Sequence, residues 1–410
     1  MRAIWLLAAA SVLAGSAHAE PLTFHAALDL ADDTAPSIAA KTQGLQSARS
    51  AAIPAGQLPD PKLSLGLQNF PISGPPAGKF NADNMTMVTV GVMQEVPNGG
   101  KRRARVDRAR AVVDAAAQEV EIESLDVRSA AAAAWLDLYY AQRKRALLDA
   151  LEKDARVLKD TLPARIAAGR AMASDVTAPD EQLVDLADRR AELDAMMSKA
   201  RSELKRWVGE RAGEGLAGDP PAIAVDPAAM RVGLETHPRL HHFLHMEAMA
   251  DADVAEATAA KHPDTSWQAM YQHRDGRYGD MVSLGVTIDL PLFAAHRQDP
   301  LIASKLADAN RVRIEQEAEA RSLSTELDEA LADHASAEAR LKRARDTSAP
   351  LADRRVDLAQ SAYQGGTGSL TDLIEARRAR TETALRIIDL EAESEKLAAR
   401  LAIYFGGEQP

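Results

Sequence analysis

Apolar and polar residues alternate in four short stretches of the chain. Leu63, Leu65 and Leu67 alternate with Ser64, Gly66 and Gln68, and Val88, Val90 and Val92 with Met87, Thr89 and Gly91. In the second half Trp267, Ala269 and Tyr271 alternate with Ser266, Gln268 and Gln272. There Val282, Leu284, Val286, Ile288 and Leu290 also alternate with Ser283, Gly285, Thr287 and Asp289. A period of two predicts strands with one apolar face. Two settings fit: a small soluble antiparallel sheet, or the wall of a transmembrane barrel, whose lipid face is apolar and whose other face is small and polar.

After the second strand of each pair the period changes to that of a helix. Val106, Val113, Val120 and Val127 fall every seven residues, with Ala109, Ala116 and Ala130 as companions and Glu123 interrupting. Leu183, Leu186, Leu193, Met197, Ala200 and Leu204 form a second seam, interrupted at Arg190. Such repeats predict coiled-coil packing, and small residues permit close approach. One helix from Pro97 to Gly169 would be about 100 Å long at ~1.5 Å per residue, with Pro163 bending it near its end.

The same order of elements occurs twice. Thr34-Ala35-Pro36 recurs as Thr236-His237-Pro238, Met87 to Val92 as Met281 to Val286, and Pro97 as Pro291. Gly169 and Ser174-Asp175-Val176 recur as Gly366 and Thr371-Asp372-Leu373, and Trp207-Val208-Gly209 as Tyr404-Phe405-Gly406. An ordered series at steady offsets is the mark of a duplication. Residues 20–209 form the first repeat of short helix, two strands and two long helices. A Gly- and Pro-rich linker spans 210–225, and 226–407 repeat the plan.

Composition narrows the class. Aromatics make up 4% of the chain, and the dominant residues are helix formers that pack through small side chains. Absence of cysteine excludes disulfide frameworks, zinc-thiolate sites and cysteine nucleophiles. It also excludes a lipid anchor on an N-terminal cysteine. The formal charge of −11 argues against a nucleic-acid partner. Residues 1–19 read as a signal peptide: Arg2, an apolar run from Ile4 to Ala14, and Ala17-His18-Ala19 before Glu20. No later stretch reaches ~18 consecutive apolar residues, so strands must make any membrane crossing. Four strands cannot close a barrel, which points to strands shared between chains.

The turns Arg165-Ile166-Ala167-Ala168-Gly169 to Ser174-Asp175-Val176 and Tyr363-Gln364-Gly365-Gly366 to Thr371-Asp372-Leu373 resemble the tip turns of the TolC-type outer-membrane factor family. The resemblance covers nearly the whole chain beyond residue 19. The stretch Gln94-Glu95-Val96-Pro97-Asn98-Gly99-Gly100-Lys101-Arg102 resembles the CusC/CzcC heavy-metal branch. The resemblance implies a mostly α fold with a small β part. Long antiparallel coiled coils form a helical barrel, and four strands per chain enter a 12-stranded transmembrane barrel of a homotrimer. It further implies a passive duct without catalysis or cofactor, seated in outer-membrane lipid. Its partners would be a periplasmic adaptor and an inner-membrane pump of the RND type, and its cargo heavy-metal cations. Drug efflux and type I protein secretion are open alternatives, because the tip and strand motifs do not separate them.

By the same resemblance Arg165, Gly169, Ser174, Gly366 and Thr371 mark adaptor-docking tips. Glycine is equally explained there by the left-handed residue of a helix–helix turn. Asp372 and Glu375 match an acidic pair at a tunnel constriction; three copies would bring six carboxylates to one axis. Solvated surface acids are the plain alternative. Asp175 and Tyr363 match two members of a closed-state latch, whose arginine is replaced here by Gly368. His237, His241 and His245 with Met249 are a candidate soft-metal site, spaced i, i+4, i+8; a polar helix face is the alternative. Lys101, Arg102, Arg103 and Arg105 read as solvated charge near a membrane interface. A trimeric coiled-coil adhesin would not need two duplicated strand pairs. For an outer-membrane enzyme, no triad or His-Glu-x-x-His motif is present.

Overall fold

The computed structural model describes residues 21–168 and 176–406. The expected signal peptide, with Gly169, Ser174 and Asp175, lies outside them, as does the side chain of Arg165. In chain order the helices and strands are α1 (Phe24–Thr34), α2 (Pro36–Ala52), β1 (Lys62–Gln68), β2 (Met87–Val96), α3 (Gly99–Ala167) and α4 (Ala178–Val208). There follow α5 (Pro227–Gly233), α6 (Pro238–Ala259), β3 (Thr265–Arg274), β4 (Met281–Ile288), α7 (Gln298–Arg343), α8 (Ala349–Gln364) and α9 (Leu370–Phe405).

Contacts divide the chain into two compact units, each drawing on both halves of the sequence. One comprises Pro36–Asp126 and Asp226–Glu329; the other comprises Met1–Ala35, Val127–Val225 and Ala330–Pro410. The long helices α3 and α7 contribute to both.

The first unit holds the sheet. Its order is β1-β2-β3-β4, antiparallel throughout, so β1 and β4 are its edges. The same unit includes α2, α5, α6 and the starts of α3 and α7. The heptad valines Val106, Val113 and Val120 are only half-buried; Ala104, Ala111 and Ala115 are the covered positions on this part of α3. Alanines take the line where a neighbouring helix comes closest, because interaxial distance follows side-chain size. Val106 flanks that line and fills the space a side chain at Gly56 would need, 2.7 Å from its Cβ position.

The second unit is helical. Trp135, fully buried, stacks on Tyr139 at 5.3 Å and meets Phe24 edge-on at 5.5 Å. Its indole N–H donates to the Leu22 carbonyl at 3.0 Å. Leu22 in turn pairs with residues 215–217 of the expected linker, so that segment is tied to the core. Farther along, Ala141, Leu148 and Ala155 of α3 pack against Leu186 and Leu193 of α4, with Leu183 and Met197 at the margin. This is the expected leucine seam. Arg190, which interrupts it, donates to Glu152 at 2.7 Å.

The expected second long helix is not continuous. Between α7 and α8 the backbone widens into one π turn, Ala344–Ser348. Pro350 causes this physically: it lacks an N–H and its ring would clash with the carbonyl four residues back. Arg345 in that turn donates to the buried Glu391 of α9 at 2.6 Å, and Arg143 of α3 reaches the same carboxylate at 2.5 Å. The corresponding part of α3 has no proline and runs unbroken for 69 residues, with Pro163 accommodated inside it.

Candidate functional site

Register aligns the apolar side chains into rows that cross all four strands. Leu63, Val92, Ala269 and Leu284 form one row, and Leu65, Val90, Tyr271 and Val282 the next. These side chains face outward and are bare: Leu65 is 73% exposed and Leu284 82%. The opposite face carries Ser64, Gly66, Thr89, Gly91, Gln272 and Ser283. On it the Ser64 hydroxyl donates to the Gly91 carbonyl and the Thr89 hydroxyl to the Gly66 carbonyl, both at 3.3 Å. Met87, Thr89 and Gly91 are the sheltered positions of β2, where Val88, Val90 and Val92 are exposed. A soluble sheet hides its apolar face; here the apolar rows are exposed on all four strands, and on β2 and β3 the polar face is the more sheltered one. Lipid is the solvent that such a face suits. No helix among the described residues is long and apolar enough to cross a membrane.

At the base of this sheet the Asn98–Lys101 motif forms a joint. The Asn98 side chain caps α3 by accepting from the Lys101 N–H at 3.0 Å. Its amide also donates to the Ala259 carbonyl at 3.1 Å and to Asp264 at 2.9 Å. Lys101 and Asp264 form a half-buried ion pair at 2.5 Å. Burial works to raise the Asp264 carboxyl, but the Lys101 ammonium and the Asn98 donors outweigh it and hold it below the usual carboxylate range. At Gly100 a Cβ would stand 2.9 Å from the Ala259 Cβ, so glycine lets α3 and α6 meet there. Arg105 pairs with Glu256 at 2.6 Å, and Arg102 donates to the Gly56 carbonyl at 3.1 Å. The expectation of merely solvated charge is therefore corrected for Lys101, Arg102 and Arg105, which are joined to their neighbours. Sequence reasoning placed Asn98 in a motif without its capping role, and missed Asp264. Asparagine ahead of a helix start was the available signal for the first; nothing local points to the second.

The tip of the second hairpin brings Tyr363, Gly366, Thr371, Asp372 and Glu375 to one turn and the helix ends beside it. Gly366 has φ 74°, a left-handed conformation that glycine adopts without strain. Gly368 is held by its N–H to the Ala362 carbonyl at 3.0 Å. A Cβ there would lie 2.9 Å from the Ala362 Cβ and 3.2 Å from the Tyr363 nitrogen. This turn therefore has no room for a side chain at 368 without a shift. The Tyr363 ring packs half-buried against Leu158, Leu162, Leu370 and Leu373.

Thr371, Asp372 and Glu375 are exposed on the first turns of α9. Asp372 is engaged locally. It closes a capping box in which its N–H donates to the Ser369 hydroxyl at 3.0 Å and its carboxylate accepts from the Ser369 N–H at 3.2 Å. The Ser369 side chain, then its backbone N–H, hold this carboxyl below the usual range. Glu375 borders a groove of about 230 Å³ between α4 and α9, with Glu181, Asp185, Arg189 and Arg378.

The histidine cluster is not assembled. Spacing i, i+4, i+8 presupposes that His237 is helical, but α6 begins at Pro238 and His237 is its extended N-cap. Its buried imidazole turns back, accepting through Nδ1 from the Arg239 N–H at 3.2 Å. Among the described residues no group of three or more His, Cys, Asp or Glu side chains is placed to hold a metal ion. The expected metal site of His237, His241, His245 and Met249 is corrected accordingly.

Comparison with known proteins places these features in context. The model of the outer membrane efflux protein family matches residues 27–210 and 232–407. No curated protein matches the sequence. Among solved structures the chain is similar to a membrane protein from Pseudomonas aeruginosa, with 17% identity and a TM-score of 0.81 over 94% of this chain and 90% of that one. It is similar to the outer membrane protein VceC of Vibrio cholerae, with 18% identity and a TM-score of 0.76 over 93% and 96%. For CusC, whose structures concern folding and transmembrane channel formation, the values are 15% and 0.77 over 94% and 92%. At these identities the likeness is one of fold. The family match spans both halves of the chain, and with it the outward apolar sheet and long helices have their explanation: this chain belongs to the outer membrane efflux protein family, whose members are passive channels and not enzymes.

Proposed function

We propose that three copies of this chain form the outer-membrane exit duct of a tripartite efflux system. The open apolar face of a sheet with two unpaired edges carries this reading. In lipid every backbone polar group needs a partner, so β1 and β4 must meet strands of other copies. Three copies supply twelve strands, a size within the range of closed bacterial barrels. Below the barrel the paired long helices form a tunnel through the periplasm, built as two repeats over 20–209 and 226–407 about the 210–225 segment. A periplasmic adaptor docks on the tips at Arg165, Gly169, Ser174, Gly366 and Thr371, and an RND-type inner-membrane pump supplies the substrate. Asp372 and Glu375, with Tyr363 and Asp175, form the gate at the narrow end.

Heavy-metal cations are the proposed cargo, supported by the branch resemblance at Gln94–Arg102 and by acidic residues exposed at the tip. Drug or protein export is the second reading. It is favoured by the structural duty of Lys101, which any cargo would tolerate, and by the dispersed histidines. A strain lacking this gene decides between them. Loss of copper, silver, zinc, cobalt or cadmium tolerance, with drug tolerance kept, is the expected result. Loss of drug tolerance alone would overturn the metal assignment. For the gate, Asp372→Asn with Glu375→Gln should lower cation preference in planar bilayers. Unchanged ion selectivity would remove the pair from the constriction.

A further inference from the structure

We infer that the polar face of the sheet carries a ladder of thioether sites for a soft, singly charged metal cation, with Met93, Met270, Met281 and Met87 as successive rungs. The inference deepens the metal-duct reading above, and rests on it for the polar face being the one that borders the passage.

Register puts these side chains in line. The four strands contain four methionines, and every one lies on the polar face. Met93 stands in a row with Lys62 and Gln268, and Met270 in the next row with Gly91 and Ser283. Met281 shares the third row with Gln272 and Thr89, and Met87 the fourth with Gln68 and Arg274. Each of these consecutive rows thus holds one thioether. From Met93 through Met270 to Met281 the positions step diagonally across β2, β3 and β4. Diagonal neighbours on one face of antiparallel strands are ~7–8 Å apart, within reach of long side chains, so two rungs can share an ion. From Met93 to Met87 the ladder covers about 20 Å at ~3.4 Å per residue, most of the ~25 Å apolar band of a barrel.

Apolar filling is the competing reading, and the placement argues against it. A methionine used only for its hydrophobicity belongs with Leu65, Val90 and Leu284 on the outward face, whose strand positions hold none. The Met270 sulfur lies 3.6 Å from the Gln272 amide nitrogen, turned over the polar face. Its methyl reaches across Gly91, 3.6 Å from where a Cβ would stand there, so glycine keeps that space open. The donors select the ion. Thioether is soft and suits copper(I), and silver(I) as its heavier congener. The four rows contain no Asp, Glu or His, so zinc and cobalt find neither carboxylate nor imidazole beside the sulfurs. Several neutral donors in series hold an ion long enough to admit it and weakly enough to release it.

Silver(I) is the probe, because it needs no reductant. The full-length chain in mild, chloride-free detergent is dialysed against silver nitrate, and bound metal is counted per chain. The comparison is a variant with Met87→Leu, Met93→Leu, Met270→Leu and Met281→Leu, which keeps side-chain volume nearly constant and removes the sulfurs. Wild type is expected to bind about two more silver ions per chain than the variant, one for each pair of rungs. Equal counts overturn the ladder. A second measurement needs only wild type and single variants: with methionine methyl carbons labelled with carbon-13, silver should move the signals that Met87→Leu, Met93→Leu, Met270→Leu and Met281→Leu each remove. Signals that stay in place overturn the ladder, and signals that zinc moves as far as silver overturn its preference for a soft ion. Silver tolerance of the strain lacking this gene reads the cargo separately. Tolerance lost with equal silver counts removes the ladder and leaves the metal duct standing; unequal counts with tolerance unchanged keep the ladder and overturn the cargo.

Discussion

Gly368 and Asp372 show how far single residues at the tip are constrained by the backbone before any partner is considered. Restoring a side chain through Gly368→Arg forces its Cβ to within 2.9 Å of Ala362, so the turn must shift. The expected cost is about 1–3 kcal/mol, typical of overpacking, read as a lower melting temperature. Unchanged stability would mean that the turn yields easily and that glycine is not needed. Asp372 makes a pH-dependent contribution. Its folded-state carboxyl is depressed by Ser369, so its stabilising effect is present above the ordinary carboxylate value. That effect disappears as pH falls through the folded value. Asp372→Asn should remove this acid-side loss from the pH profile of thermal unfolding. A mutant profile that keeps it would place the titration elsewhere. The capping role was legible in the spacing Ser369-x-x-Asp372, because a capping box is local. The role of Asp264 was not, since its partner Lys101 lies 163 residues earlier and meets it only once β2 and β3 pair.

Elements followed the periodicity of the sequence closely where one face had a single solvent. All four alternating stretches are strands, and the long heptad region is one helix. Departures came where local chemistry overrode period. The repeat of valines named the side of α3, yet the closest approach selected alanines two positions before Val106 and Val113. Pro350 opened a π turn that a heptad cannot announce. His237 left its helix because the residue preceding proline disfavours the helical conformation. The strands also carry the clearest element-scale prediction. Val90→Lys places a charge on the outward face of β2 and should destabilise the protein in lipid by about 2–4 kcal/mol. Gln268→Lys on the other face should cost far less. Denaturant titration of the protein refolded into vesicles measures both. Equal costs would mean that the two faces see the same solvent.

At the scale of the whole molecule, the compact units do not coincide with the two copies visible in the sequence. Each unit gathers strands or helices from both halves of the sequence. The sequence shows the order of elements in each half, whereas the grouping of those elements into units depends on pairing between distant segments. The same logic extends beyond one chain. A sheet with bare edges and a bare apolar face is incomplete alone, and four strands fall short of the ~8 from which bacterial barrels are built. The measurement that tests this most directly is the mass of the protein in mild detergent. The expected species is a stable trimer, surviving dilution. A folded, stable monomer would contradict the shared barrel on which the proposed duct depends.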